Sequence, residues 1–145
     1  MKRTNFFTLF IAALIGLSCA GNKKINDMKE FINETTKCTE EFITQITASG
    51  SERDIVSTIE SFNSSLALLE AKSKAMKQKY PDIDVWFGEP PAELAADLDR
   101  LHIAEKKLED ILKSDKVREL RKGSNVQSAF TGLINELERV KFFQD

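Results

Sequence analysis

A single histidine, His102, limits the chemistry that this chain of 145 residues can perform. It shares a predicted helix face with Asp99, which resembles half of a di-metal motif, but a di-iron site in a helical bundle needs two carboxylate–histidine pairs. A serine or cysteine nucleophile would have to use His102 as its base. No glycine-flanked serine elbow and no phosphate-binding glycine loop accompanies it in the sequence. We therefore predict a protein that is not an enzyme and that has no metal and no cofactor.

The two cysteines, Cys19 and Cys38, have different predicted roles. In an oxidising compartment an even pair is compatible with a disulfide. Cys38, however, lies on the apolar stripe of a predicted helix, which favours a small buried core residue over a reactive thiol. Cys19 instead follows an apolar run at the start of the chain. If Cys19 is modified, Cys38 is left single.

The first residues have the pattern of an export signal. Met1-Lys2-Arg3 is positively charged, and the run from Phe6 to Leu17 is mostly apolar. A run of about twelve residues is shorter than the roughly 20 that a membrane-spanning helix needs, and it is typical of a cleaved signal peptide. The small residue Ser18 follows, as a signal peptidase requires. We therefore expect residues 1–18 to be a signal peptide.

The stretch Gly16-Leu17-Ser18-Cys19 resembles the lipobox of bacterial lipoproteins, in which cleavage occurs before a cysteine that carries diacylglycerol. Ser18 matches that pattern, whereas the usual leucine three places before the cysteine is Gly16 here and Leu17 is one place late. The resemblance implies that Cys19 is lipidated and that the protein is anchored in the cell envelope, facing the periplasm or the cell surface. The alternative is ordinary cleavage after Ala20, which would give a secreted or periplasmic soluble protein.

The composition after the leader is that of a folded helical domain. Charged residues make up 30% of the chain and hydrophobic residues 41%, with three prolines and six glycines. This balance is globular rather than disordered. Lysines and glutamates are mixed along every segment and the net charge is -2, so no basic face for nucleic acid is expected.

Four amphipathic helices are predicted after a tether of residues 19–24. Apolar residues recur at three- and four-residue spacing over residues 24–48, 51–80, 90–120 and 126–143, with a break at Ser114-Asp115. Gly50 in a left-handed conformation should end the first helix. Ser51 and Asp54 should form a capping box, and Pro81 should end the second helix. Because short connections favour antiparallel neighbours, residues 25–145 are predicted to form an antiparallel up-down-up-down four-helix bundle.

The segment from Pro81 to Glu89 is unusually apolar for a connection, since it contains Trp86 and Phe87. One interpretation is a crossover whose aromatic side chains fold over the end of the bundle. The other is a site that binds a protein partner, because exposed aromatic residues often carry interface energy. Trp86 and Phe87 are thus the candidate partner-binding residues.

The size, export signal and helix order also resemble the soluble periplasmic b-type cytochromes with four helices. Asn26-Asp27-Met28 resembles the region around the methionine haem ligand of that family. Its histidine ligand should lie near the end of the fourth helix, where this chain has Lys141-Phe142-Phe143-Gln144, and the chain contains no Cys-x-x-Cys-His. We therefore interpret Met28 as a core residue. The predicted function is that of a non-catalytic envelope lipoprotein that binds a protein partner, with a small-ligand or haem carrier as the alternative.

Overall fold

The computed structural model describes residues 6–83 and 90–139, and the side chains of residues 21–83 and 90–138. In this part of the chain all regular structure is helical, with no strand, which confirms the all-α prediction. The five α-helices and one short 3₁₀ helix are α1 (Phe6–Ala48), α2 (Glu52–Lys79), the 3₁₀ helix Ala92–Leu94, α3 (Ala95–Leu112), α4 (Asp115–Leu120) and α5 (Ser124–Arg139).

Helix α1 begins at Phe6, so the prediction that the first helix starts near Lys24 is wrong. The predicted tether was placed by its polarity, but polarity alone does not break a helix. Residues 19–24 contain no proline, and Gly21 weakens a helix by only about 1 kcal/mol. Lys24 is 6% exposed and therefore belongs to the packed body. None of the helices in the described residues combines the length and the apolar character needed to cross a membrane.

The connection between α1 and α2 is closed by serine side chains. The Ser49 N–H and hydroxyl both donate to the carbonyl of Gln45, at 2.9 and 2.8 Å, and complete the last turn of α1. Ser51 caps α2, as predicted: its hydroxyl accepts from the Asp54 N–H at 3.2 Å and donates to the Asp54 carboxylate at 2.7 Å. None of the described glycines has a positive φ, so the predicted left-handed Gly50 is wrong. At the end of the helix, both bonds of Ser49 satisfy the Gln45 carbonyl.

The remaining helix ends lie close to the predicted positions. Tyr80 caps α2 and its N–H donates to Met76, just before Pro81. Ser114 caps α4 by accepting from the Val117 N–H, which confirms the break in the third predicted helix. The third segment starts with the 3₁₀ helix after Pro91, since α3 begins only at Ala95. The predicted extension of the last helix from residue 140 to Phe143 lies outside the described residues.

The apolar stripes meet in two clusters. Helix α1 packs against α2 and α3, and α2 also packs against α5. The main cluster consists of Phe42, Ile46, Ile55, Ile59, Phe62, Leu66, Leu108, Val117, Val126, Phe130 and Leu133. The end cluster consists of Met28, Ile32, Ile83, Leu94 and Leu101. The alternation of apolar and polar positions in the sequence thus becomes one buried side for each helix, as expected for amphipathic helices.

Candidate functional site

The predicted lipidation and partner-binding residues are not among those whose side chains are described. Cys19 falls within the span of α1, but its side chain lies outside the described set. Trp86 and Phe87 belong to residues 84–89, which also lie outside it. The roles of these three residues therefore remain predictions.

The residues considered for metal or base chemistry are on the surface. Both His102 and Asp99 are exposed on α3. Across residues 21–83 and 90–138, no group of three histidine, cysteine, aspartate or glutamate residues is close enough to hold a metal ion. The two residues thus share a helix face, as their spacing predicted, without further ligands from other elements.

Met28 is buried, which confirms its interpretation as a core residue. It is 1% exposed and lies in the end cluster beside Ile32 and Leu101. Methionine fills irregular gaps in cores well because its side chain is unbranched and flexible. Since protein side chains already surround Met28, a haem group could reach its sulfur only by displacing the end cluster.

A cluster of polar side chains joins α1, at Lys24 and Asp27, to the end of α2. The Tyr80 hydroxyl donates to the Asp27 carboxylate at 2.7 Å, and the Lys79 ammonium donates to the same oxygen. These hydrogen bonds, first that of Lys79, lower the pKa of Asp27, and the Asp27 carboxylate raises the pKa of Lys79. Lys24 forms a salt bridge of 2.8 Å with Asp82. The cluster therefore fixes the turn after α2 against α1.

An open groove runs between α1 and α2. One part, of about 510 Å³, is lined mainly by small and apolar residues, among them Leu68, Leu69, Ala71 and Ala75. The neighbouring part, of about 270 Å³, continues toward Lys79. Both parts include Glu34, Lys72 and Ala75, and the Glu34–Lys72 ion pair joins the two walls at 2.5 Å. The groove is thus apolar around Leu68 and Leu69 and more charged toward Lys79, with the Glu34–Lys72 ion pair between the two parts.

Cys38 lies on the wall of this groove and is half-buried, rather than buried as predicted. It packs against the edge of the main cluster and its thiol is free. Burial raises the pKa of the Cys38 thiol, and a hydrogen bond with Ser65 lowers it to a smaller extent. A raised pKa reduces the thiolate fraction, and the thiolate is the nucleophile. The expectation of an unreactive thiol is therefore supported.

The pattern of the sequence does not predict this groove, although one residue, Leu68, is a signal for it. Two large hydrophobic residues in the described part of the chain are exposed, Leu68 and Ile103. Leu68 is the more exposed of the two, at 68%. It lies between Leu66 and Leu69, which are buried, and at 100° per residue it must point away from them. An apolar residue on the wrong side of an otherwise regular stripe indicates a second apolar surface.

Comparison with known protein families, with curated proteins and with solved structures found no match. The function must therefore be inferred from the residues of this chain.

Proposed function

We propose that this protein is exported, anchored to a membrane of the cell envelope through a lipid on Cys19, and acts without catalysis by binding a protein partner. The observation that carries the proposal is the sequence at the start of the chain. A basic start and a short apolar run lead to Gly16-Leu17-Ser18-Cys19, where a lipobox would lie. Two or more acyl chains on one residue hold a protein stably on a bilayer, whereas one chain binds only reversibly.

The finer topology belongs to the same proposal: α1, α2, α3 and α5 run up, down, up and down. A connection of three residues, 49–51, joins α1 to α2 and favours an antiparallel pair. The Lys116 ammonium donates to the carbonyl of Thr47, and Gly123 lies beside the Glu52 carboxylate. These contacts bring the end of α1 and the starts of α2, α4 and α5 together. Met28 and Leu94 meet in the end cluster at the other end.

The proposed partner surface is centred on Trp86 and Phe87. The chain enters this segment from Ile83, which is 1% exposed and whose N–H donates to the Tyr80 carbonyl at 3.0 Å. It leaves the segment toward Leu94, which is also buried in the end cluster. Both sides of the segment are thus anchored in the core. A segment that is fixed on both sides loses less conformational freedom on binding than a free chain, which favours affinity.

Ile83, which precedes this segment, lies at the end of the bundle where α1 passes Lys24. Lys24 forms the ion pair with Asp82, next to Ile83. Cys19 precedes Lys24 by about 7.5 Å of helix, at 1.5 Å per residue. A partner that contacts Trp86 and Phe87 would therefore bind close to the membrane surface. This favours a protein of the envelope itself as the partner.

The test combines aromatic variants with an anchor variant. The full chain, extracted from native membranes, should capture an envelope protein, and Trp86→Ala or Phe87→Ala should abolish capture while circular dichroism shows unchanged helicity. Ile103→Ala is the matched control, because Ile103 is a 56% exposed hydrophobic residue on α3. Cys19→Ser should abolish incorporation of a labelled fatty acid. Loss of helicity in the aromatic variants would favour the packing interpretation, and a Soret band in the purified protein would favour the carrier alternative.

A further inference from the structure

Three side-chain contacts to the end of α2 and to the turn after it come from a single turn of α1. The Asp27 carboxylate accepts hydrogen bonds from the Lys79 ammonium and, at 2.7 Å, from the Tyr80 hydroxyl. Lys24 lies about one turn before Asp27 and forms the 2.8 Å salt bridge with Asp82. The end of α2 and the following turn are thus joined to α1 at two neighbouring points.

The two partners of the Lys24–Asp82 pair differ greatly in burial. The Lys24 side chain is 8% exposed, whereas that of Asp82 is 73% exposed. Burial of an ammonium group costs free energy that a nearby carboxylate offsets. Movement of Asp82 away from Lys24 therefore costs more than the loss of an exposed ion pair does. The buried lysine thus holds an exposed residue of the turn in place.

The residue after Asp82 is the last one that the structure describes before the segment with Trp86 and Phe87. This residue, Ile83, is 1% exposed in the end cluster, and its N–H donates to the Tyr80 carbonyl at 3.0 Å. Because α1 holds the side chains of both Tyr80 and Asp82, it also determines where the chain leaves the body at Ile83.

We propose that Lys24 and Asp82 are positioning residues, which fix the entry to the partner-binding segment and thereby raise its affinity for the envelope protein. The inference rests on the proposed function for the identity of that segment. A segment whose entry is fixed loses less conformational freedom on binding, so a loosened turn should bind more weakly. Since Lys24 follows Cys19 by five residues, the turn of α1 next to the anchor would then control the partner surface.

Hydrogen exchange of the Ile83 N–H, followed by NMR on the full chain in detergent micelles, tests the turn without a partner. Lys24→Met removes the charge and keeps an unbranched side chain. It should make this amide exchange about tenfold faster, and the amide of Ile59 in the main cluster should exchange at an unchanged rate. Lys72→Met is the matched control, because Lys72 also joins α2 to α1 through an ion pair, with Glu34, about two helical turns before the end of α2. It should leave both rates unchanged.

Variants of Asp82 test the same contact from its exposed side, where a substitution leaves the core intact. Asp82→Asn removes the carboxylate charge and should also speed exchange of the Ile83 N–H about tenfold. Asp82→Glu keeps the charge and should stay within about threefold of the unmodified chain. If Lys24→Met does not fold, the comparison of these two variants decides the inference.

Capture of the envelope protein separates positioning from a merely structural role. Lys24→Met and Asp82→Asn should raise the dissociation constant about tenfold, whereas Asp82→Glu and Lys72→Met should leave it within about threefold. Urea unfolding of each variant is the second readout. A structural role would lower the urea midpoint and leave the affinity of the folded protein unchanged, and that result would overturn the inference.

Two exchange results would also overturn the inference: an unchanged rate for the Ile83 N–H in Lys24→Met, or an equal acceleration in Lys72→Met. Unchanged capture despite faster exchange would do the same. If the unmodified chain captures no envelope protein, the proposed function fails, and exchange of the Ile83 N–H alone then decides whether Lys24 positions the turn. The two proposals can therefore fail separately.

Discussion

Removal of the stacked aromatic pair between α1 and α2 should destabilise the fold strongly. The Phe42 and Phe62 rings lie 4.2 Å apart at an interplanar angle of 16°, and the two residues are 2% and 4% exposed. They stand in the main cluster, where α1, α2 and α5 contribute side chains. Phe62→Ala would leave a cavity beside Phe42 that helices on several sides must collapse to fill.

The expected cost of Phe62→Ala is about 3–5 kcal/mol, as for other buried phenylalanines replaced by alanine. Of this, about 0.5–1.5 kcal/mol belongs to the ring pair beyond its buried area. Since domains of this size unfold with about 5–15 kcal/mol, the variant would lose a large part of its stability. Ile103→Ala should change the unfolding free energy by no more than about 0.5 kcal/mol, because Ile103 is exposed.

Urea unfolding followed by circular dichroism measures both variants. A double-mutant cycle of Phe42→Leu and Phe62→Leu then isolates the pair, and a coupling free energy of about 0.5–1.5 kcal/mol is expected. A cost for Phe62→Ala below about 1 kcal/mol, or equal to that of Ile103→Ala, would refute the packing of α1 against α2 described above.

Three further changes have defined outcomes. Gly132→Ala should raise the unfolding free energy by about 0.5–1 kcal/mol, measured in urea, because a Cβ there meets nothing within 4 Å in the middle of α5; a loss of stability would contradict this. Asp27 has a pKa lowered below 3.8, first by its hydrogen bond from Lys79, so its contribution exists above about pH 4 and disappears as the pH falls through the lowered pKa. Asp27→Asn should therefore destabilise more at pH 6 than at pH 2, and an equal effect at both would contradict it. Cys38 should react with iodoacetamide more slowly in the folded protein than in urea, in a Cys19→Ser background, because burial raises its pKa; equal rates would contradict this.

The buried residues could be predicted well because helical periodicity determines which side chains face inward. Apolar residues at three- and four-residue spacing along α2 are buried, namely Ile55, Ile59, Phe62, Leu66 and Leu69. Proline and serine also marked the ends of α2 and the start of α4, since each acts through the local backbone. These signals need no knowledge of the tertiary contacts.

Other features depend on partners that are distant in the sequence. The sequence places Lys24 in a polar tether because a lysine is usually solvated. In the structure Lys24 is buried, and its ion pair with Asp82 after the end of α2 offsets the cost of burying the charge. The groove arises from the angle between α1 and α2, which no pattern within one helix specifies. Leu68 alone signalled it, and an isolated exposed leucine is too common to predict a groove.

The mass spectrum of the mature N-terminus, taken on protein from native membranes, tests the central proposal most directly. If the chain is a lipoprotein, its N-terminal peptide begins at Cys19 and carries the added mass of the diacylglycerol and its acyl chains. A mature chain that begins with an unmodified Ala20 or Gly21 would contradict the anchor and with it the proposed placement at a membrane surface.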